Sequence, residues 1–163
     1  ELIEANSEVD LQGIFFLKDK NTSNNKTFVK HLAEDCKSNQ VYKGILNDRS
    51  KATYFSNTHV DQLAQKTEGY QLSKGILLSD NASYFSKPEL KIYADDVKCS
   101  HGSTIGPIDE NAIFYLRSRG MSKIAATKIL ISSFINEELS SIDNEQMSEI
   151  IQKKLVRYLS KVK

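Results

Sequence analysis

The sequence predicts a mainly β chain that ends in an α-helical tail. Up to about residue 106, short segments rich in Val, Ile, Tyr, Phe and Thr are separated by polar turns, a pattern typical of β-strands. After residue 106, the apolar residues recur at helical spacing instead. We therefore expect a β domain over residues 1–106 and a small helical domain over residues 107–163.

Seven segments of the β domain have the composition of strands, and polar residues bound each of them. In chain order they are GIFFL, KTFVKHL, VYKGIL, ATYFSNTHV, KGILLS, ELKIYA and DVKCSHGST. Between the first two, the run KDKNTSNNK at 18–26 has the composition of an exposed, flexible hairpin tip.

The pattern leaves two arrangements of these strands open. YKGIL at 42–46 and SKGILL at 73–78 form a coarse internal repeat, which favours a β-helix whose coils stack on one another. Short strands separated by turns are equally compatible with a β-sandwich.

Three helices are predicted in the tail. Asp109 is a suitable N-cap for the first, Gly120 stands where a helix would end in a left-handed residue, and Ser122 opens the second. The apolar residues of the second helix are Ile124, Ile131, Phe134 and Ile135. The third helix carries an apolar stripe made of Met147, Ile150, Ile151, Leu155, Tyr158, Leu159 and Val162.

Composition argues against several classes of function. Lys and Arg total 22 and Asp and Glu total 21, so the net charge of +1 provides no global field for nucleic acid or an anionic membrane. The acidic N-terminus and the lack of an apolar run of about 18 to 20 residues argue against a signal segment or a membrane span. We expect a cytoplasmic protein, of the bacterial cytosol or of a plastid or related organelle, that binds neither nucleic acid nor membrane.

Cysteine usage agrees with such a compartment. Cys36 and Cys99 lie 63 positions apart without zinc-type spacing, which favours reduced thiols, although a single disulfide remains open. The sequence also lacks a P-loop, a GxSxG elbow, an HExxH motif, a CxxC motif and an EF-hand loop. The three histidines, His31, His59 and His101, are far apart along the chain. An enzyme is therefore not indicated.

Cys99 and His101 are the most chemically interesting pair. In an extended segment they project from one face, whereas Lys98, Ser100 and Gly102 project from the other. A thiolate and an imidazole are good ligands for iron or zinc, but two ligands do not close a tetrahedral site, so the others would come from elsewhere in the fold or from another chain. The alternative is packing, with Cys99 as a small buried residue and His101 as a hydrogen-bonded corner residue.

The apolar residues stand at even-numbered positions before Asp95 and at odd-numbered positions after Asp96. This change of face predicts a bend or bulge at Asp95 and Asp96.

Two longer stretches carry a resemblance to a known family. SKPELKIYADDVKCSHGSTIG at 86–106 and IDENAIFYLRSRGM at 108–121 resemble the C-terminal region of the SufB/SufD family, the scaffold proteins of the SUF iron–sulfur cluster assembly system, and the resemblance is to its SufD-like branch. The similarity extends through 31–46, 65–71 and 77–90, so it covers most of the chain. Ser56, Ser103 and Pro107 depart from the family pattern. Family members are considerably longer, so we expect this chain to be a C-terminal portion.

The resemblance implies a partial right-handed parallel β-helix followed by a helical domain. It implies a non-catalytic scaffold that pairs with a SufB-like scaffold through the end of the β-helix and with a SufC-like ATPase through the helical tail. By the same resemblance, His101 contributes to a transient iron–sulfur cluster shared with the partner, as a ligand or a proton carrier, and Cys99 is a second candidate ligand. Lys98, Ser100 and Gly102 are interface candidates. The candidate residues for ATPase docking are Phe114, Tyr115, Arg117, Arg119 and Phe134.

Other interpretations remain beside this one. The chain could be a purely architectural β-helix protein without cluster ligands, or a β-helix enzyme acting on carbohydrate, although adjacent Asp95 and Asp96 would face opposite ways on a strand. The isolated chain could also form a homodimer, and no cofactor is expected on it alone. Cys36, His31 and His59 are predicted to be structural. Phe114, Tyr115 and Leu116 are expected at the seam between the helical tail and the β-helix.

Overall fold

The computed structural model describes residues 1–140, 142 and 144–162. Within these residues, the chain forms seven strands followed by three helices. The strands are β1 (Glu8–Leu17), β2 (Thr22–His31), β3 (Lys37–Leu46), β4 (Lys51–Val60), β5 (Thr67–Leu77), β6 (Ser83–Ile92) and β7 (Val97–Pro107). The helices are α1 (Glu110–Ser118), α2 (Lys123–Leu139) and α3 (Glu145–Leu159).

All paired strands run parallel, in two sheets. β1, β3, β5 and β7 form a four-stranded sheet, and β2, β4 and β6 form a three-stranded sheet. Successive strands along the chain alternate between the sheets, so each coil contributes one strand to each. The architecture is a parallel β-helix of three coils to which β7 adds half a coil, as predicted, and the parallel pairing rules out the sandwich alternative, whose sheets are antiparallel.

The internal repeat marks equivalent positions in neighbouring coils. Tyr42 pairs with Ser73, and the following residues pair one for one up to Leu46 with Leu77. The repeat needs its glycine, because a Cβ atom at Gly44 would collide with the ring of Phe15 from the coil before. The glycine therefore lets aromatic rings fill the interior between the sheets.

The corners between strands are tight and use left-handed residues. Asn6, Asp19, Asp35, Asp48 and Lys66 all have φ between 57° and 63°. Asparagine and aspartate tolerate this conformation better than most residues because their short polar side chains bond locally. Asp48, for example, accepts a hydrogen bond from the backbone of Asp19 in the corner before it, at 2.9 Å.

The corner geometry corrects one sequence-based expectation and confirms another. Residues 18–26 are not a hairpin tip, because β2 begins at Thr22 and lies in a different sheet from β1. Residues 18–21 form the corner, and the polar side chains from Thr22 onward belong to a parallel strand paired with β4. The bend predicted at Asp95 and Asp96 is confirmed: both residues lie in a bend at the corner between β6 and β7, which belong to different sheets.

The interior of the β-helix contains polar as well as aromatic side chains. The rings of Tyr42 and Tyr54 stack with centroids 4.1 Å apart. A chain of hydrogen bonds runs beside them, in which Gln40 accepts from Thr27 at 2.6 Å and donates to Thr58 at 2.9 Å. Because Thr27, Gln40 and Thr58 bond one another, the interior avoids most of the cost of burying these three side chains.

The helical tail packs on the outer face of the four-stranded sheet. Ile45 of β3 is fully buried against Ile131 and Ile135 of α2 and against Leu155 and Tyr158 of α3. Asp109 and Ser122 cap α1 and α2, and Gly120 has φ 91°, so these predicted helix boundaries are confirmed.

The apolar stripe of α3 is only partly buried. Residues from Ile151 onward pack against the sheet, but Met147 and Ile150 in the first two turns are each 50% exposed. No helix among the described residues is long and apolar enough to cross a membrane.

A buried lysine ties the tail to the sheet. Lys43 is 1% exposed, and its Nζ donates to the carbonyl of Phe134 at 3.0 Å and to the carboxylate of Glu137 at 2.7 Å. A second carboxylate, that of Glu138, lies 3.4 Å away. The positive charge of Lys43 lowers the pKa of the Glu137 carboxyl through this hydrogen bond and ion pair.

Candidate functional site at the open end of the β-helix

β7 is the last strand of the β-helix and leaves its coil incomplete. It pairs with β5 along one edge, and no strand of the described chain pairs with its other edge. The three-stranded sheet ends at β6, so no described strand lies across the interior from β7 in its own coil. The interior of the β-helix is therefore open beside β7.

The register shows which way the side chains of β7 face. Cys99 pairs with Gly69 and His101 pairs with Gln71, and both partners in β5 are buried in the interior. Equivalent residues of paired strands point the same way, so Cys99 and His101 both face the inside of the β-helix, as the alternation predicts. Lys98 and Ser100 face the opposite way and are exposed, and Gly102, at the next position on that face, is half-buried.

The two candidate ligands differ in exposure. Cys99 is half-buried and packs beside Val60, Ala64 and Ala94. Burial raises the pKa of its thiol, an effect that a hydrogen bond from the backbone of Gly69 partly offsets. His101, two residues further along β7 on the same face, is exposed. His101 is thus the better placed to meet a second chain, while Cys99 resembles a core residue with one accessible side.

Gln71 is the neighbour of His101 that sequence reasoning missed. It is only 3% exposed, and its amide nitrogen donates to Thr58 at 2.7 Å. Its amide oxygen is buried and has no hydrogen-bond partner in the described chain. The sequence around Gln71 does not indicate that it lies beside His101. That neighbourhood follows only from the pairing of β5 with β7, which brings together residues 30 positions apart.

The other histidines and Cys36 lie elsewhere in structural environments. The Nε2 atom of His31 bonds the hydroxyl of Ser38 at 2.8 Å, and burial lowers the pKa of His31 to about 4. His59 contacts the ring of Tyr93 at 5.2 Å between centroids. Cys36 is fully buried, and its thiol donates to the carbonyl of Glu4 at 3.3 Å. The packing roles predicted for His31 and Cys36 are therefore confirmed.

Both cysteines are free thiols, so the disulfide alternative is excluded. Across residues 1–140, 142 and 144–162, no group of three or more His, Cys, Asp and Glu side chains is arranged to hold a metal ion. A metal ion bound by Cys99 and His101 would need further ligands from another molecule, because a tetrahedral site has four ligands and these two side chains supply at most two.

The residues considered for docking occupy two different environments. Phe114 is 74% and Tyr115 57% exposed, so they are not buried in a seam with the β-helix; the residue that α1 buries is Ile113. Arg119 lies over the ring of Tyr115 and donates to its hydroxyl at 3.2 Å, and Arg117 is exposed. Phe134 is half-buried, with the ammonium of Lys43 5.1 Å from its ring.

Comparison with known proteins places these features in a family. Residues 1–134 match the family model described as SUF system FeS cluster assembly, SufBD core domain. The chain is 34% identical over 124 residues to iron-sulfur cluster assembly protein SufD of Escherichia coli, covering 76% of this chain and 29% of that protein.

Two further relatives agree. An iron-sulfur cluster assembly SufBD family protein of Synechocystis is 42% identical over 105 residues, covering 64% of this chain and 23% of that protein. SufD of Plasmodium falciparum is 29% identical over 161 residues, covering 98% of this chain and 11% of that protein. The chain thus spans less than a third of the length of each of these curated relatives.

Proposed function

The chain belongs to the SufBD core family of the SUF iron–sulfur cluster assembly system, and on that premise we propose that it is a non-catalytic, SufD-like scaffold subunit. It pairs with a SufB-like chain at the open end of the β-helix and with a SufC-like ATPase through the helical tail. A nascent iron–sulfur cluster is the cargo held at the first of these contacts. The compartment, bacterial cytosol or plastid, stays a prediction.

The observation that carries this proposal is the exposure of His101 in an incomplete coil. Its equivalent in the preceding coil, Gln71, is buried, so His101 is accessible only because the β-helix stops there. An imidazole supplies one ligand to iron through a ring nitrogen. The remaining ligands come from the partner, with Cys99 as a second ligand from this chain.

The raised pKa of Cys99 bears on its role. A thiol that burial keeps protonated must lose its proton before it binds metal, and that makes binding less favourable at neutral pH. His101, by contrast, is exposed and lies where a partner can reach it. We therefore assign the larger contribution to His101 and the smaller to Cys99.

The exposed side of α1 is the proposed ATPase contact. Phe114 and Tyr115 form an apolar, aromatic surface beside Arg117 and Arg119, and aromatic and Arg residues are enriched at protein interfaces. Phe134 would act indirectly, since it packs from α2 against the core shared with the sheet, beside Lys43, and supports the position of the tail.

Anaerobic cluster reconstitution tests the role of His101. The full-length chain is co-purified with its SufB-type and SufC-type partners, as wild type, His101→Ala, His101→Cys and His59→Ala. We expect His101→Ala to lose most of the sulfide-to-iron absorbance, His101→Cys to retain part of it because a thiolate also binds iron, and the control His59→Ala to match wild type.

Size-exclusion chromatography of the same preparations shows whether each complex is intact. An intact His101→Ala complex with a normal cluster would reject the ligand assignment and leave the chain as an architectural subunit. A wild-type chain that never associates with either partner would reject the scaffold proposal as a whole.

A further inference from the structure

The outer face of the three-stranded sheet carries an excess of positive charge. Each of β2, β4 and β6 has ten residues, so each directs five side chains outward. Of these outward side chains, one is a glutamate, Glu89, and five are lysines: Lys26, Lys30, Lys51, Lys87 and Lys91. The whole chain has a net charge of +1, so the excess is local to this face.

Three phenylalanines lie among these lysines, one on each strand. Phe28 and Phe85 are each 64% exposed, and Phe28 contacts Phe55 with ring centroids 5.6 Å apart. Lys26, Phe55 and Lys87 are in register across the three strands, so the central ring has a lysine on either side. The helical tail packs on the other sheet. The face therefore offers apolar contact together with positive charge.

Two of the lysines already bind carboxylates of this chain. The ammonium of Lys30 lies 3.0 Å from the carboxylate of Glu1, and that of Lys87 lies 2.7 Å from the carboxylate of Glu89. Both lysines are exposed, so these pairs form at the surface of the sheet. A carboxylate that approaches from outside thus meets ammonium groups in a geometry that the sheet already uses.

Two other lysines of the face leave that position open. Lys26 and Lys51 are exposed, and neither has an ion pair with any residue that the structure describes. They lie on neighbouring strands, at the middle and at the start of the sheet. An acidic molecule on this face would supply the missing carboxylates without displacing a contact of the chain.

Nucleic acid and membrane fit the face less well. The ring of Phe55 has the ammonium of Lys87 5.7 Å from its centroid and Phe28 against it at 54°, whereas a base needs an open ring face to stack on. The outward cations are all lysines, and arginine is the residue suited to bidentate phosphate contacts. The rings share a flat sheet with the lysines, so they cannot enter a bilayer without them.

We propose that the outer face of β2, β4 and β6 is a docking surface for an acidic segment of another protein, whose carboxylates bind Lys26 and Lys51 and whose apolar side chains contact the phenylalanines. Ten residues at about 3.3 Å each make the face roughly 33 Å long, which accommodates one extended segment. An interface of this size is typical of a transient partner. The inference concerns a face distinct from the free edge of β7 and does not depend on the scaffold proposal.

Fluorescence anisotropy with a labelled acidic peptide tests this surface. The probe is a peptide of about twelve residues in which glutamates are interspersed with phenylalanine and glycine, and the control peptide has lysine in place of every glutamate. The full-length chain is titrated as wild type, Lys26→Glu, Phe85→Ala and Lys154→Glu. Lys154→Glu is the matched control, because it makes the same change of charge at an exposed position of α3, which packs on the other sheet.

We expect the wild type to bind the acidic peptide and not the basic one. Lys26→Glu should weaken binding by about tenfold at low salt and Phe85→Ala by about threefold, with the first difference shrinking as salt screens the charges. Lys154→Glu should bind as wild type does. Equal affinities of wild type and Lys26→Glu, or equal binding of both peptides, would overturn the inference.

Two rival ligands are titrated in the same way: an oligothymidylate of similar length and vesicles that contain phosphatidylglycerol. Tighter binding of either one than of the acidic peptide would assign the face to nucleic acid or to membrane, and would overturn the inference. Cluster reconstitution with His101→Ala tests the scaffold proposal separately, so the two can fail independently.

Thermal unfolding of the full-length chain tests the remaining occupant, which is another part of the same protein. Because the ring of Phe85 is exposed, we expect Phe85→Ala to lower the midpoint of unfolding by less than about 2 °C. A much larger loss would show that the rest of the protein packs on this face, and would overturn the inference.

Discussion

Gln71 and His101 occupy the same column of the β-helix in neighbouring coils, yet the first is buried and the second is exposed. Their strands pair in register, and both side chains face the interior. The difference arises from the next coil along the axis: β7 covers Gln71, whereas no described strand covers His101. The direction of a side chain is thus set by its position within a strand, and its burial by the presence of the next coil.

The closed coils and the open half-coil consequently have different roles. In the closed coils, aromatic rings and bonded polar side chains are packed and contribute stability. In the half-coil, interior-facing groups that would otherwise be core are available to another molecule. An unpaired edge ordinarily invites aggregation, and charged residues such as Lys98 at its start restrict what it accepts.

Truncation of a ring in a closed coil should produce the largest effect. Tyr54 is 1% exposed, stacks on Tyr42 and has its hydroxyl 3.2 Å from that of Thr27. We expect Tyr54→Ala to lower the free energy of unfolding by about 3 to 5 kcal/mol, measured by urea denaturation, because it leaves a cavity. Phe55→Ala, one residue on and facing outward, should cost about 1 kcal/mol; equal losses would contradict the assignment of interior and exterior faces.

The pH dependence of stability should show how fully a closed coil buries His31. The pKa of His31 is lowered to about 4 in the folded protein, chiefly by burial, from an ordinary value of 6.5. Between these values the unfolded chain binds the proton more readily, so stability falls as pH falls from about 6.5 to 4, by about 3 kcal/mol in total.

Replacement of His31 isolates this contribution. The free energy of unfolding, measured in urea across that pH range, should depend less steeply on pH for His31→Gln than for wild type. A His31→Gln variant with the wild-type slope would show that His31 is not the buried base responsible.

The smallest effect should come from the open half-coil itself. Because His101 is exposed, His101→Ala should change the free energy of unfolding by less than about 0.5 kcal/mol. Thermal unfolding of the chain without partners measures it. A loss of several kcal/mol would mean that His101 packs as its equivalents in the closed coils do.

Sequence reasoning was most successful where the structure depends on nearby residues. The strand segments, the stacked YKGIL and SKGILL repeat, and the caps at Asp109, Gly120 and Ser122 follow from local propensity and backbone conformation. It failed at 18–26, because Asn and Ser predict a loop when only the pairing with β4, 29 residues ahead, stabilises a strand there.

The site was predictable only in part for the same reason. Alternation along β7 places Cys99 and His101 on one face, but the burial of Gln71 beside His101 depends on a register that no local pattern reveals. Phe114 and Tyr115 are apolar residues that suggested a seam, while the packing of α1 leaves them exposed. The roles of these residues, and the division of the chain at residue 106, stay predictions.

The corners determine how such a chain tolerates changes of length. Every strand is 10 or 11 residues long, whereas the corners vary: 18–21 and 47–50 have four residues, 78–82 has five and 61–66 has six. An extra residue within a strand would turn every later side chain of that strand to the opposite face, while one in a corner leaves the phase of both strands intact. Insertions, tags and natural length variation are therefore accommodated at the corners, or by adding a whole coil, without changing the interior.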